Sequence, residues 1–227
     1  MNDTCSGALE YKKNVQLNIV LAIHVLISVG GVVTNVLFVR HWRRGLFFHK
    51  NSQVLIWTIV ILNLLHSFLL GMGEGVHLFQ HYVVQDTCNA LVSTVFCYVV
   101  RMPTLMCAAA QALVHLSIVT ERAIALKRIK TYEKRKSSIG LVLAVASVSI
   151  SVGMAAYTFK NYPMFEKTSY CKVATSQTIL QIIEFSCSVL FLEAVIIVSF
   201  CCVYCLNSKG RLSPSTHFYR QCCCGGA

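Results

Sequence analysis

Residues 15–44 read VQLNIVLAIHVLISVGGVVTNVLFVRHWRR, an uncharged apolar stretch from Val15 to Val39 that ends in Arg40, His41, Trp42, Arg43 and Arg44. As an α-helix the apolar part rises about 37 Å, against roughly 30 Å for the hydrocarbon core of a bilayer, so it is long enough to span with some tilt. It does not read as a cleavable signal peptide. Such a signal has a basic start, a shorter apolar core and a small-residue cleavage site, whereas here the basic cluster follows the run as a stop-transfer pattern does.

Four more runs follow: Val54 to about Gly73, about 92–120 with one charge at Arg101, Ile139 to about Phe159, and about Thr178 to Leu206. The composition agrees, with 56% hydrophobic and only 13% charged residues in a chain of 227. A soluble core of that size could not hide so much apolar surface. The expected fold is therefore all-α, a polytopic membrane helix bundle of about five spans over residues 1–206, followed by a polar tail at 207–227. No internal repeat or low-complexity linker divides the chain.

The net charge of +11 would suggest nucleic acid for a soluble protein, but the basic residues sit in short segments between the apolar runs, where lipid headgroups are the expected partner. Fourteen of the twenty Lys and Arg fall in three of these segments, at 40–52, 121–137 and 207–227. The opposite side holds Lys12, Lys13, Arg101, Lys160, Lys167 and Lys172. By the positive-inside bias the N-terminus faces out and the tail lies in the cytoplasm. Asn2-Asp3-Thr4 is then a candidate glycosylation sequon on the outer side.

Topology divides the twelve cysteines. Cys5, Cys88, Cys97 and Cys171 fall outside, where disulfides persist, and four cysteines allow three complete pairings. Cys107 and Cys187 lie within spans and read as small packing residues. Cys201, Cys202 and Cys205 sit where the fifth span meets the cytoplasm, the position of palmitoylation candidates. The ending Cys222-Cys223-Cys224-Gly225-Gly226-Ala227 is not a prenylation signal, because glycines stand where aliphatic residues belong. No metal site, Walker loop, His-Glu-x-x-His or Gly-x-Ser-x-Gly pattern is present, so neither cofactor nor catalysis is expected. His77 and His81 read as solvated outer-loop residues.

Cys97 precedes Arg122 by about 37 Å of helix, which sets the cysteine at the outer surface and the Glu121-Arg122 pair at the inner one. The ordered series Cys97-Tyr98-Val99-Val100-Arg101-Met102-Pro103, Thr120-Glu121-Arg122-Ala123-Ile124-Ala125, Thr131-Tyr132-Glu133 and Ile139-Gly140 resembles the third and fourth spans of the nematode serpentine chemoreceptors of the Sra superfamily, class ab. Phe48-His49-Lys50-Asn51, Leu65-His66-Ser67 and Asp86-Thr87-Cys88 are similar to that family upstream, so the likeness covers most of residues 40–200.

The resemblance implies a chemosensory G-protein-coupled receptor that detects small molecules in sensory neurons, at the plasma membrane or the sensory cilium. It implies a Cys97–Cys171 bridge, with Cys88 and Cys5 as rival partners, and a role for Glu121 and Arg122 in holding the inactive state or meeting a heterotrimeric G protein. Third and fifth helices are neighbours in that fold, so Arg101 and Glu184, at comparable depth, are candidates for an expected ion pair that would rim a ligand pocket, the alternative being that each sits separately near headgroups or in a water-filled gap. Glu193 stands on the other side of the fifth helix from Glu184. Asn18, His24, Asn35, Asn63, His66 and His115 are expected to make interhelical hydrogen bonds.

The family has seven spans and five apolar runs are present here, which sets three readings side by side. The chain acts as a receptor, with coupling completed in a longer form. Or it is a truncated, non-coupling form that acts by association in a receptor oligomer. Or it is a small transporter, for which internal repeats would be expected.

Overall fold

The computed structural model describes residues 14–42, 50–83, 92–127, 138–162, 167–168, 171 and 178–211. Five long helices carry the fold: α1 (Val15–Trp42), α2 (Lys50–Val83), α3 (Thr94–Lys127), α4 (Ser138–Thr158) and α5 (Ile179–Arg211). All five are long and apolar enough to cross a membrane. Two short strands, β1 (Val92–Ser93) and β2 (Lys167–Thr168), pair antiparallel, Val92 opposite Thr168 and Ser93 opposite Lys167.

The helices start and continue for local reasons. The Asn14 side chain accepts the Leu17 N–H at 3.1 Å, capping the first turn of α1. Pro103 lies inside α3 and has no N–H to give the preceding turn, and the next hydroxyl, Thr104, donates to the Val100 carbonyl at 2.7 Å. Their apolar residues run all round the helix instead of along one stripe. Leu26, Leu180, Leu190 and Phe191 are each at least 70% exposed, an apolar surface suited to lipid and not to water.

Helix α3 is the centre of the bundle and the most buried of the five, while α5 is the least. Leu55 and Leu62 of α2 pack with Cys107, Ala110 and Val114 of α3 and Ala144 of α4. On another face of α3, Ala112 and Val119 meet Ile196 of α5, with Leu116, Val189, Leu192 and Val203 around them. Helix α1 packs on α2. Small residues allow these approaches: a Cβ on Gly31 would lie 2.5 Å from the Ser67 hydroxyl, so α1 and α2 touch there only because no side chain intervenes. In the inner half of the bundle the hydroxyls of Ser117 and Ser147 share a hydrogen bond of 3.0 Å between α3 and α4.

Helix α2 departs from the expected end at Gly73 and continues to Val83. The polar stretch after Gly73 is therefore helix, and its Glu74 and His77 face inward, each 1% exposed. A charge marks the end of a span only if it faces lipid or water; this one faces α3.

Candidate functional site

Helices α2 and α3 run antiparallel and are tied at both ends by buried polar groups. At the outer end Arg101 of α3 places Nη2 2.8 Å from Oε1 of Glu74, with side chains 11% and 2% exposed. His24 of α1 brings Nδ1 to 3.8 Å from the same oxygen. One turn farther along α2, Nε2 of His77 accepts the backbone N–H of Cys171 at 3.2 Å. An accepting Nε2 requires the neutral ring, with its proton on Nδ1.

Cys171 is joined to Cys97 by a disulfide across 74 positions of sequence. Cys97 lies one turn before Arg101 on the same face of α3, so the disulfide and the ion pair share one side of that helix. The β1–β2 pair lies beside this bridge, and Val92, Phe96, Cys97 and Cys171 pack together under it. The Tyr98 ring meets Phe159 edge-on at 5.5 Å and Tyr162 at 6.1 Å. Burial pushes the Tyr162 phenol above its ordinary pKa, while the Arg101 guanidinium pulls it down.

At the inner end Ser52 of α2 donates its hydroxyl to Oε1 of Glu121 at 3.1 Å. Glu121 is 1% exposed. Arg122, its neighbour, brings Nε to 3.6 Å from Oε2 of Glu121 while its side chain is 45% exposed. Beside Ser52, the Asn51 side chain accepts the Gly140 N–H at 3.3 Å, where a Cβ on Gly140 would stand 2.5 Å from the Asn51 carbonyl oxygen. Asn51 and Ser52 thus fasten α2 to α4 and to α3 in consecutive positions.

The two ties stand one bilayer apart. Arg101 and Glu121 are separated by about 30 Å of helix rise and Ser52 and Glu74 by about 33 Å, so both pairs sit near the boundaries of the hydrocarbon core.

The expected Arg101–Glu184 pair is not what forms. Arg101 lies on Glu74, and the Glu184 carboxylate, on the exposed side of α5, accepts from the Tyr157 hydroxyl at 3.1 Å. The physical reason is burial: α2 supplies a carboxylate inside the packed interior, where a buried guanidinium needs one, and Glu184 faces outward. His77, expected to be solvated, is buried. Asn35, expected to bond across helices, donates to the Gly31 carbonyl of its own helix at 2.7 Å. Cys201 and Cys202 are exposed and Cys205 is half-buried. Among the described residues no three His, Cys, Asp or Glu side chains gather as metal ligands. Asn2, Cys5, Cys88 and Cys222 to Cys224 lie outside the described residues.

Glu74, His77, Asn51 and Ser52 are the site residues that sequence reasoning missed. A usable signal existed in the antiparallel register. Once α2 and α3 are paired, the separation between Ser52 and Glu74 matches that between Glu121 and Arg101 to about 3 Å of rise.

A comparison with curated proteins finds no match. A family model does match, that of the serpentine type 7TM GPCR receptor class ab chemoreceptors, and it covers residues 2–218. Five membrane-length helices, a disulfide from the top of the third helix and a buried carboxylate at its base all lie inside that match, and the chain belongs to the class ab serpentine chemoreceptor family.

Proposed function

We propose that this multi-pass membrane protein serves a sensory neuron, at the plasma membrane or the ciliary membrane. It takes a small-molecule ligand at its outer end, near Arg101, and, when two further spans complete the bundle, acts on a heterotrimeric G protein at its inner end, through Glu121 and Arg122. One observation supports the reading above the others. A single central helix carries a buried ionisable side chain at each bilayer boundary, and both are tied to the same neighbour, α2. A change at the outer tie therefore reaches the inner one through two rigid elements.

The test is G-protein turnover. Expressed as these 227 residues alone, the polypeptide is expected to reach membranes and stay at background for any odorant pool, because in seven-span receptors the sixth helix opens the cleft. Joined to two further spans it is expected to respond, and Arg122→Ala to abolish the response at unchanged surface level. Ligand-dependent turnover by the 227-residue polypeptide alone would overturn that division of roles.

A second reading, association with another receptor chain, is favoured by α5. Its exposed face carries Glu184, a carboxylate on a side otherwise suited to lipid, and a partner helix would remove it from that surface. Crosslinking at Leu180 or Leu190 in membranes tests this, and exclusively monomeric protein would count against it.

A further inference from the structure

We infer that the inner end of α5 is a modification site, at which the thiols of Cys201 and Cys202, with Cys205 as a third, accept a long-chain acyl group in thioester linkage. Exposure and depth together carry the inference. Cys201 and Cys202 are exposed on α5 and Cys205 is half-buried, and all three are thiols, not disulfides.

Two independent measures place them at the inner headgroup boundary. From Ile179, where α5 begins, to Cys201 the helix rises about 33 Å, slightly more than a hydrocarbon core. Packing gives the same depth from another helix. α3 and α5 both run from outside to inside, and Val119 belongs to the cluster that holds Ile196, with Val203 packed against it. Two and three residues past Val119 stand Glu121 and the half-exposed guanidinium of Arg122, a group that belongs among headgroups. Tyr204, 62% exposed, lies between the second and third thiols as an interfacial aromatic would, and Lys209 and Arg211 follow on the same helix.

The chain contains its own controls. Cys187 is also exposed on α5, but it lies only about 12 Å along the helix from Ile179, within the hydrocarbon, where the polar end of an acyl-coenzyme A cannot come. Cys107 is buried between helices. The chemistry is a transthioesterification. A cysteine thiolate attacks the carbonyl carbon of an acyl-coenzyme A, a new sulfur–carbon bond forms, and the coenzyme A sulfur leaves and takes up the proton that the cysteine lost. Nothing is oxidised or reduced, and a membrane acyltransferase supplies the catalysis. The attached chain then lies against the apolar face of α5, inside the leaflet that already covers it.

The experiment is acyl–thioester exchange on the full chain expressed in animal cells, with thiols blocked, thioesters cleaved by hydroxylamine and the released thiols tagged and mapped by peptide. The expected result is hydroxylamine-dependent tagging of the peptide that spans 201–205. The tags should be lost in Cys201→Ser/Cys202→Ser/Cys205→Ser and kept in Cys187→Ser. The wild-type peptide map decides the matter even if the triple variant fails to fold. No labile tag within 201–205, or tags confined to Cys187 or to Cys222 to Cys224, overturns the inference.

Discussion

At the outer end of α2 and α3 a full ion pair is buried between the helices, Glu74 against Arg101, and a disulfide closes one turn away; at the inner end Glu121 is buried as deeply but meets α2 through a neutral hydroxyl, Ser52, while its half-exposed ion-pair partner Arg122 belongs to its own helix. The same two helices are therefore fastened by unequal means. Separating them outside requires a charge to lose its counter-ion in a low-dielectric interior and pulls His77 off the backbone N–H of Cys171, which the disulfide holds to α3. Separating them inside exposes one carboxylate to a boundary where water and headgroups can solvate it. The lesson is directional: if α2 and α3 part, the inner end parts first.

The largest expected effect comes from breaking the outer pair on one side. Glu74→Leu leaves the Arg101 guanidinium buried without that carboxylate and should cost about 3–5 kcal/mol, whereas Glu74→Leu combined with Arg101→Met should return most of it, since well-packed apolar residues replace buried pairs with little loss. Thermal unfolding of the purified protein in lipid bicelles, single against double variant, measures the difference. A single variant as stable as the wild type would show that the outer end is not pinned by charge.

Next in size is the bridge. Cys171→Ser should cost about 2–4 kcal/mol through the freedom restored to the unfolded chain, and it also loosens the backbone whose N–H is held by His77. Hydrogen exchange distinguishes the two ends. Amides around Val100 and Arg101 should lose protection while those around Val119 keep theirs. Equal loss at both ends would mean that α3 opens as one unit instead of loosening first at the end the bridge holds.

These expectations depend on residues that the sequence showed unevenly. Five spans were legible because apolar runs of this length have no other stable use, although α5 continues as helix to Arg211, past the expected end at Leu206. The bridge between Cys97 and Cys171 followed from family likeness, and spacing alone left three pairings open. Glu74 was hidden by the rule that found the spans: a hydropathy reading ends a helix at a charge, but α2 carries that charge inward against Arg101. Arg101 was recognised as costly in lipid, yet its partner was sought on α5, because which helix faces it is settled by packing of small residues such as Gly73, whose Cβ would lie 3.0 Å from Val100. Glu121 and Arg122 are adjacent in sequence and 100° apart on a helix, so no local pattern tells which one turns inward.

The inner end can be probed sterically without touching its charges. Gly140→Ala places a Cβ 2.5 Å from the Asn51 carbonyl oxygen and 2.9 Å from its Cα, backbone atoms that cannot rotate away, so α2 and α4 must separate. A cost of about 1–3 kcal/mol is expected from such overpacking. Gly30→Ala, with nothing within 4 Å, is the matched control and should be neutral or stabilise by about 0.5–1 kcal/mol through helix propensity. If the two substitutions behave alike in bicelle unfolding, the Asn51–Gly140 contact does not fasten the inner end.

The smallest effect on stability is expected at Arg122, and it sharpens the comparison most. Its Nε stands 3.6 Å from Glu121 and its side chain is nearly half exposed, a geometry in which water screens the attraction and an ion pair contributes about 0–1 kcal/mol. Arg122→Ala should therefore change bicelle stability by no more than about 1 kcal/mol. Glu121→Ala should cost more, because it leaves the buried Ser52 hydroxyl without its acceptor. A loss above 3 kcal/mol for Arg122→Ala would place a pinned charge at the inner end as well, and the unequal fastening of α2 and α3 would have to be abandoned.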